Sequence, residues 1–86
     1  MIQPVNLPVS VTTHFDHKKR VTLPVSVLFE GREYSVTKLG FHHTYREGRV
    51  LYHVFSVAGL NIFFRLVFNT ETLGWLLTEV HDGEVS

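Results

Sequence analysis

The chain has 86 residues, with eight Lys+Arg, eight Asp+Glu and no cysteine. This length allows one domain with a thin core that self-association could supplement, and the zero net charge argues against a generic polyanion binder. The lack of cysteine excludes disulfides and thiolate zinc sites. No apolar run approaches the roughly 18 residues of a membrane span, and the start MIQPVNLPVSV lacks a basic signal-peptide region. We therefore expect a cytoplasmic protein without membrane contact.

Residues 1–20 are predicted to form an extended N-terminal arm or an edge strand. Pro4 and Pro8 exclude a helix and are tolerated in a strand only at an edge. The segment ends in HFDHKKR, the basic cluster of the chain. A solvated loop between strands is the simpler interpretation of this cluster, and contact with a phosphate backbone is the alternative.

Residues 21–81 are predicted to form an all-β domain, and residues 82–86 a flexible tail. Period-two alternation, short turns and the lack of a helical period indicate an antiparallel meander of five to six strands. The turns are expected at 30–31, 46–48, 58–59 and 69–74. A change of phase near Gly40 predicts a β-bulge, which would curl the sheet into an SH3-like or otherwise partly open small barrel.

Each turn predicts a register and thereby the faces of the sheet. Phe29 should oppose Arg32, and Phe68 should oppose Trp75. In the middle strands, His43 should oppose Leu51 and His53 should oppose Phe64. With these registers one face forms the core: Phe41, Leu51, Phe55, Val57, Leu60, Ile62, Phe64, Leu66, Phe68, Trp75 and Leu77.

The opposite face carries the predicted partner-binding residues Tyr52, Phe63 and Arg65, with His42 beside them. Tyr52 should lie across from Arg65, within reach of a cation–π contact. Aromatic and arginine side chains are enriched at interface hot spots, so this face is a candidate surface for a protein partner or for self-association. Coverage by the barrel end, by the N-terminal arm or by a second subunit is the competing explanation of its apolar residues.

A metal site is the alternative interpretation of the histidines. His43 and His53 are expected to be diagonal neighbours on the core side, about 7–8 Å apart by sheet geometry. Glu79 could supply a third ligand in the predicted register, and zinc accepts such a set. A hydrogen-bonded structural histidine is the simpler role for His53, which lies among phenylalanines.

Catalytic motifs are not found in the sequence. It contains no GxSxG, P-loop or GxGxxG pattern, and its eight carboxylates are scattered, mostly over turns and the tail. We therefore expect a non-enzymatic protein without a cofactor.

Glycine turns between aromatic strands in the stretch 24–80 resemble a small bacterial β domain of unknown function. The matching features are Glu30–Tyr34, Glu47–Val50, Gly59 before Phe64–Leu66, and Gly74-Trp75 before Leu77. Similar segments end the polymerase-like ImuB proteins of bacterial mutagenic repair, although this chain has no polymerase-like part. The resemblance implies an accessory protein-interaction or nucleic-acid-adjacent role and supplies no catalytic residues.

These observations favour a small protein-interaction or assembly module. The expected partners are a second copy, as in a homodimer, or an unidentified protein. The first alternative is a nucleic-acid-associated accessory module that uses basic side chains and aromatic stacking, with Lys18, Lys19, Arg20 and Arg65 as its residues. The second is a histidine-based binder of a metal or small ligand, with His43, His53 and Glu79.

Overall fold

The computed structural model describes residues 2–82, and its side chains from residue 5. Within this range, seven strands form one antiparallel sheet that curls into an open half-barrel. The strands are β1 (Ile2–Asp16), β2 (Val21–Phe29), β3 (Arg32–Ser35), β4 (Lys38–Glu47), β5 (Val50–Gly59), β6 (Ile62–Asn69) and β7 (Trp75–His81). The all-β antiparallel prediction is confirmed, with seven strands instead of five to six. None of these residues forms a helix long and apolar enough to cross a membrane. Of the predicted tail, residues 83–86 lie outside the described range.

The strand order around the sheet follows the chain. The order is β3-β2-β1-β7-β6-β5-β4, so strands that are consecutive in the chain pair with each other, and β1 also pairs with β7. β3 and β4 are the exception, because they are consecutive in the chain but form the two opposite edges. The half-barrel is therefore an up-and-down barrel that is open along a seam between β3 and β4.

A two-residue link, Val36 and Thr37, joins β3 to β4 at one end of this seam. The Val36 N–H donates to the carbonyl of Val25 at 2.9 Å, on the β2 side, and the Thr37 N–H donates to the carbonyl of Ala58 at 2.8 Å, on the β5 side. Because the two amides donate in opposite directions, the strands diverge from the link. β3 has four residues and β4 has ten, so β3 could not cover β4 even if the seam closed.

The residues expected to form an N-terminal arm or edge strand belong to the sheet as β1. Ile2–Val9 pair along β7, with an irregularity after Pro4, and Ser10–Asp16 pair with β2. Each half of β1 is thus paired on one side only. Pro4 and Pro8 both lie in the first half, where a nitrogen without a hydrogen can face the unpaired side.

The core lies on the concave face of the half-barrel. Its buried members are Val27, Phe55, Val57, Ile62, Phe64, Leu66, Leu77 and Val80. Most of the core predicted on β5–β7 is therefore confirmed. The core prediction is wrong for two residues: Phe41 is 59% exposed, and Leu60, which lies in a turn, is 86% exposed. Val80, which alternation assigns to the other face, enters the core because a register shift beside Arg65 rephases β7.

The predicted registers differ in how well they match the structure. The pairs Phe29–Arg32 and Phe68–Trp75 are confirmed. Between β5 and β6 the turn is 60–61 rather than 58–59, and His53 pairs with Phe68, four residues beyond the predicted Phe64. Because four is an even number, the side chains kept their predicted faces.

The predicted β4–β5 register is wrong by three residues. Because three is an odd number, the two faces of β4 are exchanged relative to the prediction. Glu47 pairs with Val50 across the two-residue loop 48–49, and Gly48 has a φ of 62°. Glycine at the first loop position is typical of a type II′ turn, whereas a three-residue loop was expected. His43 consequently pairs with Val54, three residues beyond Leu51, and it is His42 that faces the core side.

Phe64→Asp tests the assignment of the core face. Phe64 is 3% exposed, and truncation of a buried Phe already costs about 3–5 kcal/mol, comparable to the whole stability of a small domain. We expect no cooperative unfolding transition by circular dichroism. The matched variant Arg65→Ala, on the exposed face, should lose about 1 kcal/mol or less. A cooperative transition in Phe64→Asp would contradict the core assignment.

Gly59→Ala tests the contact across the seam. A Cβ on Gly59 would lie 2.8 Å from the carbonyl oxygen of Ser35, so backbone must move, at a cost of about 1–3 kcal/mol. At Gly74 the nearest atom is the Thr72 hydroxyl oxygen at 3.3 Å, a side-chain atom that needs to shift by only a few tenths of an ångström. Urea denaturation should show a clearly larger loss for Gly59→Ala than for Gly74→Ala. Equal losses would mean that Ser35 does not constrain Gly59.

Candidate interaction surface

The free side of β4 is the longest unpaired strand edge that the described residues form. β4 pairs only with β5, and all ten of its residues are exposed. We call this side the β4 edge, meaning the N–H and C=O groups of Lys38–Glu47 that point away from β5. Such groups are a template for an additional strand.

Hairpin geometry identifies which backbone groups face outward. Glu47 and Val50 close the two-residue loop as a hydrogen-bonded pair, so alternation directs the N–H and C=O groups of Arg46, Thr44 and His42 toward the β4 edge. The residue opposite Arg46 agrees with this assignment. The carbonyl of Leu51 accepts hydrogen bonds from the N–H of Thr70 at 3.2 Å and from the hydroxyl of Thr70 at 2.8 Å. It therefore points away from β4.

On the convex face, an aromatic row follows the β4 edge. Phe41 and His43 have ring centroids 5.3 Å apart, and Tyr45 stacks on Tyr52 at 4.9 Å with an interplanar angle of 12°. Desolvation in this stack, followed by the charge of Glu47, raises the pKa of Tyr45. The row therefore offers aromatic surface directly beside the outward backbone groups.

On the concave face, two histidines cap the core below β4. The ring of His42 stacks on Phe55 at 4.5 Å, and its Nε2 lies 2.8 Å from Nδ1 of His53. In the neutral pair one imidazole donates an N–H to the unprotonated nitrogen of the other. Burial, and secondly the charge of His42, lowers the pKa of His53. The pair covers Phe55 and joins β4 to β5 through side chains.

The structure separates the four predicted partner-binding residues. The predicted opposition of Tyr52 and Arg65 is wrong, because the four-residue slip places Tyr52 across from Asn69. Arg65 and Phe63 remain neighbours on the convex face, and they help to line a hollow of about 350 Å³. His42 lies on the concave face. Tyr52 adjoins the aromatic row of β4 instead, and a partner role for these side chains stays a prediction.

The predicted metal-binding set is not assembled. His43 faces the convex side and His53 the concave side. They were predicted to share a face only because the predicted β4–β5 register was wrong by an odd number of residues. Glu79 pairs with Arg65, whose guanidinium donates to its carboxylate at 3.0 Å. Among the described residues, no three His, Asp or Glu side chains lie close enough together to hold a metal ion. The real neighbour of His53 is His42, which a type II′ assignment of the loop after Glu47 would have predicted.

The basic residues proposed for nucleic-acid binding are also divided. Lys18 and Lys19 lie in the β1–β2 turn, where their backbone N–H groups donate to Oδ1 of Asp16 at 2.9 and 3.2 Å. These bonds lower the pKa of Asp16. Arg20 lines a cleft at the turn, whereas Arg65 is held by a carboxylate on the convex face. The structure does not gather these cations into one basic surface.

The lowered pKa of His53 predicts a pH-dependent stability. The unfolded chain takes up a proton at a higher pH than the folded chain, so stability is complete above about pH 6.5 and falls as the pH drops from there toward the lowered pKa. Urea unfolding between about pH 8 and pH 5 should show this slope. His53→Gln should reduce it, and His43→Gln, on the other face, should retain it. An unchanged slope in His53→Gln would contradict the assignment.

No protein-family model, no curated protein and no solved structure matches the chain. The resemblance to the small bacterial β domain accordingly stays a prediction.

Proposed function

We propose that the protein is a non-catalytic interaction and assembly module that binds by adding a strand to its β4 edge. The observation that carries this proposal is the ten-residue strand that is exposed throughout and paired on one side only. Strand addition uses backbone hydrogen bonds for affinity and alternate side chains for specificity.

The contrast between the two edges of the sheet supports this proposal. Protein edges are usually protected from strand addition by shortness, charge, proline or bulges. β3 has four residues, two of them charged. β4 is long, and its stretch 39–45 contains no Lys, Arg, Asp, Glu or Pro, although a bulge lies near its beginning. The edge that lacks most of these protections is therefore the one suited to binding.

The surroundings of β4 favour a stable rather than an occasional pairing. The outward groups of His42, Thr44 and Arg46 are held in place by the ladder to β5. The convex row adds the rings of Phe41 and Tyr45, and cross-strand aromatic pairs contribute about 0.2–1 kcal/mol each beyond the backbone bonds. Because the strand is already ordered, binding costs little conformational entropy on this side.

The proposal also includes several finer predictions from the sequence. They are an SH3-like form of the half-barrel, a cytoplasmic location and self-association as the first expected mode of binding. The neutral chain favours self-association, because little charge repulsion opposes it.

Thr44→Pro tests strand addition directly. Proline removes an outward N–H and leaves the β4–β5 hydrogen bonds in place, whereas Thr44→Val keeps the N–H. We expect light scattering to show a concentration-dependent rise in molar mass for the wild type and Thr44→Val, and a constant monomer mass for Thr44→Pro. Amide exchange at His42 and Arg46 should slow with concentration in the first two only. A wild type that stays monomeric, with both amides freely exchanging, would contradict the proposal.

A further inference from the structure

We propose that the strand added to β4 is the β4 of a second copy, related by a two-fold axis that passes between the two His43 residues. This inference rests on the proposed function and specifies its partner and register. The result would be one continuous sheet in which the concave faces of both copies lie on the same side.

Symmetry restricts the possible registers. Two antiparallel strands of one sheet are related by a two-fold axis perpendicular to the sheet, and such an axis places one residue opposite its own copy. Near the middle of β4, the residue on the axis can be His42, His43 or Thr44. These three choices make different side-chain pairs and can therefore be compared.

The register centred on His43 matches side chains along the whole strand. Thr44 opposes His42 of the second copy, and Tyr45 opposes Phe41. If bulged Gly40 is passed over, as it is in the pairing with β5, the next pair is Arg46 with Leu39 and the last is Glu47 with Lys38. Each pair then joins side chains of the same face.

Charge complementarity selects this register. Lys38 and Glu47 meet as opposite charges at both ends of the paired strands, and the aromatic pair between Tyr45 and Phe41 occurs twice on the convex face. Opposite charges and aromatic rings are favourable cross-strand pairs. Centred on His42, Tyr45 would oppose Lys38 and Glu47 would extend beyond the strand. Centred on Thr44, Phe41 would oppose Glu47 and Lys38 would have no opposite residue.

The directions of the backbone groups fit the same arrangement. The outward N–H and C=O groups of His42 face those of Thr44 in the second copy, so the two pairs flanking the axis are hydrogen-bonded. His43 directs its own groups toward β5 and forms a non-hydrogen-bonded pair on the axis, where opposite Cα atoms are about 4.5 Å apart. That spacing lies within the range a disulfide can bridge.

Single-cysteine variants test the register, because the natural chain contains no cysteine. His43→Cys places two thiols directly opposite each other. His42→Cys and Thr44→Cys place identical thiols on a diagonal of about 7–8 Å, which a disulfide does not span without backbone movement. After mild oxidation, non-reducing electrophoresis should show the covalent dimer forming fastest in His43→Cys. Circular dichroism checks that all three variants are folded.

Charge reversal tests the pairing of Lys38 with Glu47 independently. Lys38→Glu alone places like charges at both ends and should raise the dimer dissociation constant by about tenfold, and Glu47→Lys alone should do the same. The double variant should restore wild-type association. If the double variant associates no better than either single one, this register is overturned.

The possible failures identify which proposal is wrong. Association with slowed exchange at the β4 amides, but with fastest crosslinking in His42→Cys or Thr44→Cys, would overturn the His43 register and leave strand addition intact. Lack of association at every concentration, with freely exchanging β4 amides, would overturn this inference together with the proposed function.

Discussion

The half-barrel depends on how two neighbouring amides are satisfied. The link between β3 and β4 is too short to let these strands move far apart, yet its N–H groups donate to Val25 on one side and to Ala58 on the other. Backbone N–H groups in a sheet need hydrogen-bond acceptors, and here the acceptors of the two N–H groups lie on opposite sides of the seam. The seam is therefore pinned together at the link and opens away from it, which leaves β4 with an unpaired side.

The unpaired strand is nevertheless well supported. Below it, His42 covers Phe55, which contacts Trp75, with ring centroids 4.5 and 5.5 Å apart respectively. The aromatic contacts thus continue from the edge strand into the centre of the core. A strand that is already packed and paired on one side loses little freedom when a partner arrives, so the packing of the concave face supports binding at the edge.

The sequence predicted most of the fold and little of the site. The reason is that a register error of an even number of residues keeps each side chain on its predicted face, whereas an odd error exchanges the faces. Glu30 and Gly31 both adopt positive φ, as in a type I′ turn, so local turn chemistry predicted the β2–β3 register. Gly48 suits both a three-residue and a two-residue loop, and choosing the longer one moved His42 to the wrong face. Gly59 was assigned to a turn, but its lack of a side chain is required by the carbonyl of Ser35 across the seam. Such a contact between distant segments leaves no local pattern.

The division of β1 into two halves has a consequence for folding during synthesis. Ser10–Asp16 can pair with β2 as soon as that strand leaves the ribosome, whereas Ile2–Val9 must wait for β7. During this interval the first half is an extended, partly apolar segment without its native partner, and such segments are prone to wrong pairing. Pro4 and Pro8 remove two backbone donors from this half. They make it a poor partner for any other strand while the native one is still being made.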